Sequence, residues 1–176
     1  AIKPDYAAAY YNMGIVFQKQ IKLEEAIEAY NKAIAIKPDH ADAYYNMGTA
    51  HKDQGKFKEA IAFYNKALSI KPDYADAYYN MGTILEVQNR MDEAVEAYNK
   101  ALAIKPDYAD AYINMGIAFQ KQDRQGEAIE AYNKALAIKP DNAAAYNNMG
   151  NAIKEQDRLE EAIALYQKAI SIKPDY

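Results

Sequence analysis

The chain has 176 residues, with 21 basic and 25 acidic side chains for a net charge of −4, and no cysteine. Without a basic surplus, nucleic acid is not an expected partner; without a thiol, disulfides and zinc–thiolate centres are excluded. No apolar run approaches the roughly 18 residues of a membrane span, and no signal peptide is recognisable. The expectation is a soluble chain with no membrane partner and no cofactor, its compartment left open.

Read in order, the chain repeats itself. It opens on Ala1-Ile2-Lys3-Pro4-Asp5-Tyr6, and Ile-Lys-Pro-Asp returns at Ile36, Ile70, Ile104, Ile138 and Ile172. Asn-Met-Gly recurs at Asn12, Asn46, Asn80, Asn114 and Asn148, a period of 34 residues. A period in this range marks an array of supersecondary units, each too small to bury its own apolar face. Five copies cover 7–40, 41–74, 75–108, 109–142 and 143–176. Residues 1–6 read as the tail of an earlier copy, so the chain is expected to be a segment of a longer protein folded as one elongated array.

In the first copy Tyr10, Met13, Gly14 and Phe17 fall at helical spacing and form an apolar stripe. Gly14 is expected where two helices approach closely. A turn near Ile21-Lys22 leads to a second helix carrying Ala26, Ile27, Tyr30, Ala33 and Ile34 on one face. Lys37-Pro38 ends it, since proline disfavours the α conformation before it, and Asp39 is placed to cap the next helix. The turn column reads Ile21, Gly55, Asn89, Asp123 and Asp157. All but Ile21 tolerate left-handed backbone, so the first turn is expected to be strained or differently shaped.

The second copy departs at His51, where the others carry Phe17, Leu85, Phe119 and Ile153. A metal or acid–base histidine is one reading; a packed ring is the one adopted, because neither His51 nor His40 has ligand spacing. The fourth copy departs at Gln125-Gly126, where a glycine in the first turn costs roughly 1 kcal/mol relative to alanine, so this hairpin is expected to be the loosest. Glu28–Lys32, Glu96–Lys100 and Glu130–Lys134 are favourable i,i+4 pairs marking a solvated face.

Tyr10-x-x-Met13-Gly14-x-x-Phe17, then Ala26-x-x-x-Tyr30, then Pro38, resembles the tetratricopeptide repeat signature, with Tyr for Trp and Met for Leu. The resemblance implies an all-α fold, a right-handed α-solenoid of five helix–turn–helix hairpins, with the first helices lining a concave surface where extended peptides bind. On those helices a second stripe lies opposite the packing stripe. It holds Tyr11, Tyr45 and Tyr79, the five asparagines Asn12, Asn46, Asn80, Asn114 and Asn148, and the hydroxyls of Thr49 and Thr83. The asparagine column is similar to the asparagine ladder of the O-linked N-acetylglucosamine transferase superhelix. A carboxamide both donates and accepts, so it can pair with a peptide backbone of any sequence.

These ten residues are the candidate peptide-binding surface. Tyr44 and Tyr78 are read as core, which leaves Tyr45 and Tyr79 for the groove. Duplication alone also copies Asn31, Asn65, Asn99 and Asn133 on the second helices, so recurrence does not prove use. Asp42, Asp76 and Asp110 are read as first-turn acids complementing the helix dipole. The carboxylate clamp by which family members hold chaperone C-termini is not matched: Tyr11, Tyr45, Asp76 and Asn80 stand where its basic residues would be.

No nucleophile–base pair, phosphate loop or metal cluster nominates a catalytic site. The expected function is a non-enzymatic scaffold binding an extended peptide or partner segment in the groove. Two alternatives stand beside it. One is the substrate-recruiting arm of a larger enzyme such as a glycosyltransferase, and the other is a self-assembling array joined head to tail through uncapped ends.

Overall fold

The computed structural model describes residues 6–174. The opening phrase up to Asp5 and the final Asp175-Tyr176 lie outside the described residues. Among those described there are ten α-helices and no strand: α1 (Tyr6–Lys19), α2 (Leu23–Ile36), α3 (Ala41–Asp53), α4 (Phe57–Ile70), α5 (Ala75–Val87), α6 (Met91–Ile104), α7 (Ala109–Gln120), α8 (Gln125–Ile138), α9 (Ala143–Lys154) and α10 (Leu159–Ile172). The chain divides into two compact units, residues 1–84 and 85–176, the division falling inside α5.

Each second helix stops where Lys-Pro requires it. Lys37 adopts φ −128°, ψ 88°, the extended conformation a following proline imposes, while its N–H still reaches the Ala33 carbonyl. Each first helix ends in a different device. The Lys22 N–H bonds the Phe17 carbonyl at 2.9 Å and the Ile21 N–H bonds Gln18 at 2.9 Å. This paired closure needs a left-handed residue between helix and turn. Gly55 (φ 73°), Asn89 (60°), Asp123 (58°) and Asp157 (61°) supply it as expected.

Ile21 supplies it as well, at φ 61°, so the first turn keeps the common shape and a β-branched residue bears the strain. Its side chain is 82% exposed and gains nothing from packing. Ile21→Asn is therefore expected to stabilise the chain by about 1 kcal/mol, read as a rise in the urea midpoint at unchanged m-value.

The cap position before α3 is His40, not Asp39, and no side chain caps that helix. The same holds at Tyr108 before α7. Only Asn142, of the caps described before first helices, bonds its helix: Oδ1 accepts from the Ala145 N–H at 3.0 Å. The reason is register. The proline places Asp39 one residue too early for its carboxylate to meet the free N–H groups, whereas Asn142 stands at the cap itself. Asp42, Asp76 and Asp110 do lie in first turns, where they favour the dipole.

A feature absent from the sequence reading lies at three second-helix starts. Arg90, Arg124 and Arg158 occupy the cap position and grip Glu93, Glu127 and Glu161 with one edge of the guanidinium, as in Arg90 Nε and Nη2 at 2.7 and 2.6 Å from the carboxylate. The i,i+4 pairs Glu28–Lys32, Glu96–Lys100 and Glu130–Lys134 form at 2.6, 2.7 and 2.9 Å, all exposed. Such pairs contribute only a few tenths of a kcal/mol each.

The fully buried tyrosines are Tyr30 and Tyr64 in the first unit and Tyr98 and Tyr132 in the second, each 0% exposed and each on a second helix. Tyr44 and Tyr78 are half-buried, like Tyr45 and Tyr79, which corrects the division between core and groove tyrosines. The buried rings explain the glycines. A Cβ on Gly14 would lie 2.4 Å from Tyr30 Cε1, and one on Gly116 would lie 2.5 Å from Tyr132 Cε1. Gly126 is the opposite case. A Cβ there meets nothing, and the neighbouring Gln125 Oε1 is buried without a protein partner. Gly126→Ala is expected to stabilise the second unit by about 0.5–1 kcal/mol through lower unfolded-chain entropy, visible as a higher melting temperature.

Candidate functional site

The second stripe is where polar groups collect, and its geometry starts from the tyrosines. In the first unit Asn46 Nδ2 donates to the Tyr11 hydroxyl at 3.2 Å, and Asn80 Nδ2 donates to the Tyr45 hydroxyl at 2.8 Å. Each asparagine is thus held by the tyrosine of the preceding repeat. Tyr11 also meets the His40 ring at 4.7 Å, and Tyr45 stacks on Tyr74 at 4.7 Å with 27° between planes. Tyr45 further packs against the cluster of Ala60, Tyr64, Leu68, Ala77 and Ile84. These phenols join successive repeats as well as presenting hydroxyls.

Electrostatics agrees with that placement. Burial raises the Tyr11 and Tyr45 phenol pKa values, with Asp42 and Asp76 respectively adding to the rise. Tyr74 is raised by burial first and then by its hydrogen bond to Asp42. All three stay neutral and keep a hydroxyl proton.

The remaining candidates differ in what they have free. Asn12 is exposed, Asn46 half-buried, and Asn80 only 7% exposed. Asn80 also accepts from Lys52 Nζ at 3.1 Å. Lys52 was not singled out in the sequence; its signal is a place about two helical turns beyond Tyr45 on the same face of α3. Thr49 Oγ1 turns back to the Tyr45 carbonyl at 3.2 Å and meets the Tyr64 hydroxyl at 3.3 Å, while Thr83 Oγ1 donates to the Asn80 carbonyl at 2.8 Å. Tyr79 is half-buried. In the second unit Asn114 and Asn148 are half-buried, and Ile113 takes the tyrosine position ahead of Asn148, so that carboxamide receives no hydroxyl from it.

The second-helix tyrosines reach the same stripe with their hydroxyls, and the partner follows the position held by Gln18, Lys52, Glu86, Gln120 and Lys154. Where that position offers an oxygen, the phenol donates to it: Tyr30 to Gln18 at 2.8 Å, Tyr98 to Glu86 at 3.1 Å, and Tyr132 to Gln120. Where it is lysine, the phenol turns to the residue one turn earlier, Tyr64 to Thr49 at 3.3 Å and Tyr166 to Asn151 at 2.9 Å. Each buried phenol is thereby satisfied, as its burial requires.

His51 lies parallel to Phe63 at 5.0 Å. Burial lowers its pKa, Lys56 lowers it further, and Glu59 opposes them. This is the packed ring expected. Among the described residues no group of three His, Cys, Asp or Glu side chains could hold a metal ion, and no helix is long and apolar enough to cross a membrane.

Comparison with known proteins gives this arrangement a family. Tetratricopeptide repeat profiles match residues 5–73, 39–107 and 73–141, and a further one matches 143–176. No curated protein matches in sequence. Among solved structures, a crystal structure of MamA is 28% identical with a TM-score of 0.85, covering 93% of this chain and 95% of that one. YrrB, described as a TPR protein with an unusual peptide-binding site, is 26% identical with a TM-score of 0.78, covering 95% and 86%. MamA from Desulfovibrio magneticus RS-1, at 22% identity and TM-score 0.88 over 99% and 98%, shows the same fold. The chain belongs to the tetratricopeptide repeat family.

Proposed function

We propose that this chain is a protein-interaction scaffold whose first helices bind an extended peptide or partner segment. The observation that carries the reading is the set of carboxamides anchored by tyrosine hydroxyls. A side chain already held in place loses less freedom on binding, so its remaining donor and acceptor act at lower entropic cost. The Asn46 amide faces the Tyr11 and Tyr30 phenols and leaves its carbonyl oxygen as the acceptor, and the exposed Asn12 offers its carboxamide. Asn80 serves differently: its bonds to Tyr45 and Lys52 make it a support that fixes both. Likeness to YrrB, described as having a peptide-binding site, supports the same reading.

A screen of the chain against a library of extended peptides tests it, followed by NMR with the best binder. The side-chain carboxamide signals of Asn12 and Asn46 are expected to shift while those of Asn31 and Asn65 stay in place. Shifts confined to the second-helix asparagines would refute the assignment, and so would the absence of any binder.

A further inference from the structure

The first helix and the last expose apolar residues whose counterparts on the helices between them are buried or half-buried. On α1, Met13 is 46% and Val16 52% exposed, beside a depression of about 270 Å³ also lined by Ala9, Asn12 and Phe17. Their counterparts one repeat on, Met47 and Ala50, are both 0% exposed. On α10, Ile163 is 54% and Ile170 52% exposed, whereas Leu68 and Leu102, the counterparts of Ile170, are 9% and 8% exposed.

The seam that covers these positions is visible in the first unit. Met47 of α3 packs in one cluster with Ala26, Tyr30 and Ile34 of α2. Helix α10 reproduces that surface, with Ala162, Tyr166 and Ile170 standing for Ala26, Tyr30 and Ile34. Helix α1 reproduces the other side, with Met13 standing for Met47. The polar rim matches independently. Gln54 Nε2 donates to Glu24 at 2.9 Å across the interior seam, and Gln122 does the same to Asp92 at 2.8 Å. The corresponding pair at the two ends is Gln20 and Glu160, both exposed.

We propose that α10 of one copy docks on α1 of a second copy, repeating the α2–α3 seam between molecules. The contact is heterologous: each molecule uses two different surfaces, so association can extend beyond a dimer. One pair opposes it. Where the second unit sets Lys121 against Glu86 at 2.8 Å, the intermolecular seam sets Lys19 against Lys154. This like-charged pair weakens the contact and is relieved by salt.

Sedimentation equilibrium on the 176-residue chain from about 10 μM to about 1 mM tests the proposal. The mean mass is expected to rise with concentration, and more so at high salt. Val16→Glu blocks one surface and Ile163→Glu the other; both sites are exposed, and circular dichroism checks that the helices persist. Each variant alone is expected to stay monomeric, because its intact surface has no partner. An equimolar mixture is expected to stop at dimers, since one good surface remains on each molecule. Lys154→Glu, which recreates the Lys121–Glu86 pair, is expected to tighten association several-fold. A wild-type chain that stays monomeric at about 1 mM, or a singly blocked variant that still self-associates, overturns it.

Discussion

Replacing Tyr132 by alanine is expected to cost about 3–5 kcal/mol. The ring is wholly buried and lies in space that Gly116 leaves open; the three atoms nearest a Cβ on Gly116 all belong to it, at 2.5–2.9 Å. Its hydroxyl donates to Gln120, so truncation opens a cavity and also removes that bond. Gly116→Ala attacks the same contact from the other side and is expected to cost about 1–3 kcal/mol by overpacking.

The two substitutions must therefore couple. With Tyr132 already truncated, the atoms that collide with an alanine at 116 are gone, and the second change is expected to be nearly neutral. A double-mutant cycle in urea measures this directly, and strictly additive losses would show that the glycine and the ring are not partners. Gly48 gives the contrast. A Cβ there meets Tyr64 at 2.8 Å but also the Ala60 carbonyl at 3.1 Å. Backbone does not move aside when the tyrosine is removed, so the corresponding cycle at Gly48 and Tyr64 is expected to show smaller coupling.

The helix pairs, their proline stops and the close glycine contact were legible because each is local or periodic. A stripe at 3.6-residue spacing names the face of a helix, and a left-handed column names a turn. Neither says which side chain on the next repeat a residue will touch. That information lies in the offset between repeats. Tyr11 reaches Asn46, Tyr45 reaches Asn80, and Lys121 reaches Glu86, each 35 positions apart. Because this offset is one more than the period, reading the columns one at a time separated tyrosines from the asparagines they hold. The columns name Tyr45 and Asn80 as candidate groove residues but not the bond that joins them. The Arg90–Glu93 grip escaped for another reason. The sequence shows an i,i+3 pair, but only the cap backbone turns the guanidinium onto both carboxylate oxygens.

Removing both Asn12 and Asn46 as alanines is expected to weaken peptide binding by about 2 kcal/mol, roughly thirtyfold, at about 1 kcal/mol net for each carboxamide lost. The pair is chosen because, of the first-helix asparagines of the first unit, these two are more exposed than Asn80. Asn80→Ala would instead release Tyr45 and Lys52 and confuse lost binding with lost stability. The matched control is Asn31→Ala with Asn65→Ala, equal in chemistry, exposed, and on second helices, where no change in affinity is expected. Tyr11→Phe separates contact from anchoring. It keeps the Asn46 carboxamide and the Tyr11 ring but removes the hydroxyl that receives Nδ2, so the expected loss is a few-fold, from lost preorganisation alone. Titration calorimetry with the best peptide from the library measures all three. If the control pair weakens binding as much as Asn12 and Asn46 together, the carboxamides of the first helices are not the contact. If Tyr11→Phe alone matches the double alanine variant, the phenol itself meets the peptide, and the asparagine holds the tyrosine rather than the reverse.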